Sequence, residues 1–217
     1  MDFDAVLLDA LGTLVRLEPP APLLAEQLDV PLADAGRAVK AEIAHYRANL
    51  WRGRDADGLA ALRRDCARLV RDELGLDAGL EEVEAGLLAA LRFTPYDDVL
   101  PALERWRQEG RRLVVVSNWD VSLHEVLEST GLRALVDGAV SSAELGAAKP
   151  DPAPVLRGLD LAGVPAGRAC LIGDSPAEDV GAARAAGVEP ILVLRADGQA
   201  PGAPPDGVRT VSTLAEL

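Results

Sequence analysis

The sequence predicts an α/β protein whose core is a parallel sheet, with an all-helical domain inserted after the first strand. Two observations carry that prediction. Apolar runs at Ala5-Val6-Leu7-Leu8, Val114-Val115-Val116 and Cys170-Leu171-Ile172 lack the polar alternation of a half-exposed strand, so each reads as a strand covered on both faces. From residue 16 to residue 96, by contrast, the pattern is helical and contains no good strand, while strands and helices alternate on either side. The expected division is therefore a core of residues 1–15 and 97–217 and a helical insert of residues 16–96.

The elements follow in order. The first strand delivers Asp9 onto a turn with Gly12 and Thr13, where glycine lets the backbone approach a ligand closely. Pro19-Pro20-Ala21-Pro22 marks a rigid entry to a helical stretch ending near Leu28. Val39, Ile43, Tyr46 and Leu50 recur at three- and four-residue spacing and predict a helix over 32–50. Leu59, Leu62, Cys66, Leu69 and Leu74 form a third helical stripe that Gly75 stops, and Leu80, Val83, Leu87, Leu88 and Leu91 form a fourth. Residues 99–109 are helical and closed by Gly110, and residues 112–117 form the second strand. Ser122-Leu123-His124-Glu125 has capping-box spacing and predicts a helix to about Thr130. A short strand over 138–141 follows, and Asp151-Pro152 and Ser175-Pro176 each place a capping side chain before a proline, so two helices start there. A last strand covers 189–194, a loop rich in Gly and Pro covers 196–208, and a short terminal helix covers 213–217.

Composition narrows the partners. With 22 basic and 35 acidic residues the net charge is −13, which argues against nucleic acid or an anionic membrane as a standing partner. The apolar runs are too short to span a bilayer and the N-terminus has no signal-peptide pattern, so a soluble, cytoplasmic protein is expected. Cys66 and Cys170 read as buried reduced thiols, and His45 and His124 stand alone, without zinc-ligand spacing. Only two of the basic residues are lysines, Lys40 and Lys149. A lysine kept among so many arginines is expected where a compact ammonium is required.

The four segments Asp9-Ala10-Leu11-Gly12-Thr13, Val116-Ser117-Asn118, Ala148-Lys149-Pro150 and Gly173-Asp174-Ser175-Pro176-Ala177-Glu178-Asp179 resemble, in order, the motifs of the haloacid dehalogenase-like hydrolase superfamily. The resemblance covers nearly the whole chain. It implies a Rossmann-like core with a helical cap of the subfamily IA type over residues 16–96. It also implies Asp9 as a nucleophile that attacks phosphorus and forms an aspartyl-phosphate. A magnesium ion is implied, held by Asp9, the backbone carbonyl of Leu11 and Asp174, with Asp179 reaching it directly or through water. Ser117 and the amide of Asn118 would hold the phosphoryl oxygens, Lys149 would pair with nucleophile and phosphate, and Thr13 would hydrogen-bond near the phosphoryl oxygens.

One departure is chemically important. Phosphatases of the family usually carry a second aspartate two residues after the nucleophile, where this chain has Leu11. Leucine cannot transfer a proton, and positioned acid–base catalysis is worth about 10²–10⁴-fold. The run Ser117-Asn118-Trp119-Asp120 resembles a branch in which that acid is often missing. The leading expectation is a magnesium-dependent phosphatase or phosphoesterase acting on a small phosphorylated molecule, with its acid absent or supplied by His45 or Asp120. Three alternatives stand beside it: a 2-haloacid dehalogenase; an enzyme like phosphonoacetaldehyde hydrolase, in which Lys40 would form a Schiff base with the substrate; and a non-catalytic protein that binds phosphate and magnesium. His45, Tyr46, Arg47, Trp51 and Arg54 are candidates to line the cleft, and the protein is expected to be a monomer or a homodimer.

Overall fold

In a computed structural model the structure describes residues 3–196 and 204–217. Six parallel strands form one sheet in the order β5-β4-β1-β6-β7-β8. They are β1 Ala5–Leu8, β4 Arg112–Ser117, β5 Gly138–Ser141, β6 Ala169–Gly173, β7 Glu189–Val193 and β8 Arg209–Val211. β1 is central: the chain adds β4 and β5 on one side of it, then crosses back to add β6, β7 and β8 on the other. This reversal opens a crevice beyond the carboxyl ends of the strands beside β1, the usual ligand position in such sheets.

The strands are continuous apolar runs because both faces are covered, and the pleat sends alternate residues to opposite sides. Val6, Leu8, Val115, Cys170 and Ile172 pack on one face with Leu103 and Trp106 of α5 (Val99–Gln108) and Leu123 and Leu127 of α6 (Leu123–Ser129). Leu7, Val114, Val116 and Leu171 pack on the other with Val155 and Leu159 of α8 (Ala153–Ala162) and Ala182 of α9 (Gly181–Ala185). Burying each such aliphatic side chain is worth about 1.5–3 kcal/mol relative to leaving it exposed. On α8, Gly158 lies so close to the sheet that an added Cβ would sit 2.8 Å from Val116 and 3.3 Å from Leu7. The helix therefore seats directly on β1 and β4.

Four helices lie between β1 and β4: α1 Pro20–Leu28, α2 Leu32–Asn49, α3 Ala56–Leu74 and α4 Leu80–Ala90. They enclose a separate apolar cluster that includes Leu24, Val39, Leu62, Val70, Val83 and Leu87. Asp55 caps α3 by accepting a hydrogen bond from the Gly58 amide, and Gly75 ends it in the left-handed region. Contrary to the expectation that residues 16–96 hold no strand, the two linkers pair as an antiparallel ribbon of β2 Val15–Leu17 and β3 Phe93–Pro95. Three-residue strands are too short to show a periodicity. A short α7 Ser142–Leu145 and the edge strand β8 are further elements that the sequence pattern does not announce.

Two local expectations need correction. Ser122 does not cap α6; its hydroxyl instead accepts a hydrogen bond from the Trp119 indole at 3.2 Å. The helix expected after Ser175 begins as a π turn, Pro176–Val180, before α9, and Ser175 caps that turn through the Glu178 amide. The terminal segment is a 3₁₀ turn, Leu214–Glu216, with a capping box between Thr213 and Glu216. Part of the Gly- and Pro-rich loop expected over 196–208 lies outside the described residues. Among the described residues no helix is long and apolar enough to cross a membrane, and both cysteines are buried free thiols.

Candidate active site

Asp9 stands one residue past the end of β1, with its amide bonded to the carbonyl of Ile172 in β6 at 2.9 Å. The sheet thus holds the backbone of this aspartate, and its side chain is almost wholly buried. The turn that follows is tight. The Ala10 carbonyl accepts from the amides of Thr13, Leu14 and Val15, and the Gly12 amide donates to the Val15 carbonyl. None of these bonds uses the Leu11 carbonyl. Gly12 has φ +85°, and a Cβ there would fall 2.2 Å from a carboxylate oxygen of Asp174. Glycine is required here twice over, for backbone conformation and for the approach of Asp174.

Lys149 enters from the loop before α8. Its ammonium donates to Asp9 Oδ1 at 2.7 Å, to Asp179 Oδ1 at 2.5 Å and to the Val116 carbonyl at 2.8 Å, which occupies all three of its hydrogens. The Ser117 hydroxyl donates to Asp9 Oδ1 at 3.0 Å. Asp179 is held on its other side by the Ser175 amide, which donates to Oδ2 at 2.9 Å. Gly173 makes room for it, since a Cβ there would lie 2.1 Å from the Asp179 carboxyl carbon. Asn118 acts through its side chain: Oδ1 accepts from the Lys149 amide, and Nδ2 donates to the Lys149 carbonyl and to Glu178. It fixes the segment that carries the lysine.

Asp9, Asp174 and Asp179 bring carboxylate oxygens within 4.8 Å of one another. Three carboxylates face a single ammonium, which leaves two negative charges when all are ionised. The strain shows in the proton equilibria. Burial pushes the Asp9 carboxyl up to about 6, with the Lys149 charge pulling against it. Burial, then the charges of Asp9 and Asp179, pushes Asp174 up to about 7. Lys149 would be lowered by burial alone, but its two carboxylates outweigh that and hold it protonated. A set of hard oxygen donors with excess negative charge fits a divalent cation such as magnesium.

Of the residues singled out in the sequence, the structure thus brings together Asp9, Ser117, Asn118, Lys149, Asp174 and Asp179, with Leu11 and Thr13 on the adjoining turn. Thr13 is fully buried, and its hydroxyl has no hydrogen-bond partner. Leu11 is 40% exposed, so its side chain points out of the core rather than into it. Asp120 is buried and bonded to the Tyr46 hydroxyl of α2 at 2.8 Å and to the Ser122 amide at 2.7 Å. His45 is partly buried, with Nε2 unpartnered. Lys40, Arg47, Trp51 and Arg54 are exposed. Arg195 joins Asp98 and Tyr96 to the Asp9 turn, a set of contacts the sequence does not mark, because Arg195 lies 97 residues from Asp98 and 182 from Thr13 and leaves no local pattern to read.

The family model for haloacid dehalogenase-like hydrolases matches residues 3–187. The chain is 36% identical over 148 residues to phosphatase MT3486 of Mycobacterium tuberculosis, across 67% of this chain and 64% of that protein. It is 34% identical over 197 residues to phosphoglycolate phosphatase of Rhodospirillum rubrum, across 88% of this chain and 78% of the relative. A third match, to the bovine haloacid dehalogenase-like hydrolase domain-containing protein 3, is 41% identical across 40% of this chain and 35% of the relative. In fold, the structure is similar to the 2-haloacid dehalogenase from Pseudomonas syringae pv. Tomato, with TM-score 0.69 and 22% identity over 99% of this chain and 96% of that one. Together with the carboxylate cluster at the strand ends, the family match over most of its length shows that this chain belongs to the haloacid dehalogenase-like hydrolases.

Proposed function

We propose that the protein is a magnesium-dependent phosphatase or phosphoesterase that acts on a small phosphorylated molecule through Asp9. The observation that carries this reading is the Asp9 carboxylate, oriented by Lys149 and Ser117 and set beside Asp174 and Asp179. Relatives named as phosphatases support it. In the proposed reaction an Asp9 oxygen attacks phosphorus, the bond from phosphorus to the ester oxygen breaks, and an aspartyl-phosphate forms. Water then cleaves that intermediate, returning the carboxylate and releasing inorganic phosphate. Lys149 favours the ionised nucleophile and offers positive charge to the phosphoryl oxygens, while the backbone amide of Asn118 and the unpartnered Thr13 hydroxyl are donors for them, joined by the Ser117 hydroxyl when it turns from Asp9 to the phosphoryl group.

Magnesium would be held by Asp9, Asp174 and the Leu11 carbonyl, with Asp179 directly or through water; when bound, it compensates charge developing on the phosphoryl group. Residues 1–15 and 97–217 form the catalytic core in this reading, and residues 16–96 form a helical cap of the subfamily IA type over the crevice. Leu11 occupies the position from which the family's usual acid would act, so the leaving oxygen takes its proton from water. Esters with weakly basic leaving groups, aryl and acyl phosphates, are therefore the better substrates, and alkyl phosphates the poorer. The acidic cluster favours this over attack on a halogenated carbon, which has no need of a phosphate-compensating cation.

The test is phosphate release from an aryl phosphate and acetyl phosphate, with magnesium and with chelator, by the wild type, Asp9→Asn and Leu11→Asp. Release that requires magnesium and is lost in Asp9→Asn is expected. Because Leu11 is already part-exposed, an aspartate is tolerated there and should raise alkyl-phosphate turnover by about 10²-fold or more. No release by the wild type or by Leu11→Asp would exclude the reading, and halide release from chloroacetate would then favour a dehalogenase.

A further inference from the structure

We infer that Arg195 is a positioning residue for the reaction proposed above, holding the Asp9 turn and the linker that returns from the helical segment in one register. The inference rests on that reading of the site. Arg195 lies two residues beyond β7, and its side chain is only 5% exposed. One terminal guanidinium nitrogen donates to the Thr13 carbonyl in the Asp9 turn at 2.7 Å, the other terminal nitrogen donates to both oxygens of Asp98 at 2.9 and 2.7 Å, and Nε is buried without a hydrogen-bond partner. The guanidinium also stacks over the Tyr96 ring, 4.2 Å from its centroid. Tyr96 follows β3, and its amide donates to the Leu14 carbonyl. One planar group therefore touches the turn that carries the nucleophile and the strand end through which the chain re-enters the core.

Asp98 is itself anchored. Its Oδ2 accepts from the Thr213 hydroxyl at 2.6 Å and the Leu214 amide at 2.5 Å, so the C-terminal segment braces the pair. Burial would raise the Asp98 carboxyl, but bonds from Arg195, Thr213 and Leu214 outweigh it and hold it below the usual carboxylate range. The turn has little tolerance for movement. Gly12, next to Thr13, lies against Asp174, and the Thr13 hydroxyl and Leu11 carbonyl share the same few residues. A displacement of the Thr13 carbonyl would be passed to the candidate nucleophile and metal donors together. Lysine cannot replace the guanidinium, because a point ammonium cannot bridge carbonyl and carboxylate in a fixed fork while stacking on a ring.

The test uses the full chain with Arg195→Lys and Arg195→Met. Two readouts are taken: kcat and KM per folded molecule for an aryl phosphate with magnesium, and hydrogen exchange at the amides of Leu14, Val15 and Tyr96. The expected result is a fall in kcat of about tenfold or more with KM little changed, larger for Met than for Lys, since small misplacements of reacting groups cost rate steeply. Exchange at the three amides should accelerate together. Unchanged exchange would overturn the inference, and so would faster exchange with kcat intact, which would mark a purely structural role. A wild type that releases no phosphate would defeat the phosphatase reading alone, and exchange at these amides would still decide whether Arg195 holds the turn and linker together.

Discussion

Lys149 sits between two buried aspartates with no hydrogen left to give, so a third carboxylate, Asp174, has no cation of its own among the described ion pairs. That imbalance makes a residue-level prediction. In chelator, Asp174→Asn removes a charge that burial and two anionic neighbours disfavour, and the metal-free protein should melt no lower than the wild type, or higher. Magnesium should stabilise the wild type, by about 2.7 kcal/mol at one hundred times its Kd, and should do far less for the variant. Thermal melts with and without magnesium check both halves. A variant that gained as much from magnesium as the wild type would remove Asp174 from the ligand set.

Between helices, the unusual contact is Glu42 of α2 against Cys66 of α3. Glu42 is 5% exposed, and burial pushes its carboxyl above its ordinary value, with the Cys66 thiol pulling back only part of the shift. A carboxyl whose folded pKa is raised binds more protons folded than unfolded. Its contribution to stability therefore falls as pH rises from about 4.3, the usual glutamate value, through the folded pKa. Glu42→Gln keeps the shape without the charge. It should be more stable than the wild type at neutral pH, with the gain shrinking as pH falls through the raised folded pKa and gone by about pH 4. Urea melts at pH 4 and pH 7.5 test this; equal differences at the two pH values would show that Glu42 carries no such cost.

For the molecule as a whole, two contacts between the helical segment and the rest bear on the site, besides the Arg63–Glu125 ion pair at 2.8 Å that joins α3 to α6. One is the β2–β3 ribbon of its linkers. The other is the loop after β4, where the Tyr46 hydroxyl bonds Asp120 at 2.8 Å and the Val121 amide bonds the Gly53 carbonyl at 2.9 Å. Gly53 permits this approach, because a Cβ there would lie 2.7 Å from that of Asp120. Tyr46→Phe removes one bond to a buried carboxylate, a contact of about 1.5–3 kcal/mol. With the segment less firmly held against the loop after β4, KM for an aryl phosphate should rise about tenfold while kcat changes little. An unchanged KM would separate the Tyr46–Asp120 bond from substrate binding.

The parallel sheet and the helical character of the segment between β2 and β3 are legible in the residues alone, and the sequence names the carboxylates and the lysine that the structure brings together. The sheet and helices are local signals, apolar runs on buried strands and three- and four-residue stripes on helices, and Asp9 and Asp174 stand just past strand ends, whereas Lys149 and Asp179 are marked by the resemblance of their segments to the family's motifs. The three-residue β2 and β3 carry no such signal, being shorter than any period. Which groups meet across the chain is set by packing. Arg195 finds Asp98 across 97 residues and Thr13 across 182, and Tyr46 finds Asp120 across 74. Such pairs depend on how separate elements pack, so neither partner carries a periodicity that announces the other, and an arginine with a structural task reads in the sequence like any of the other nineteen.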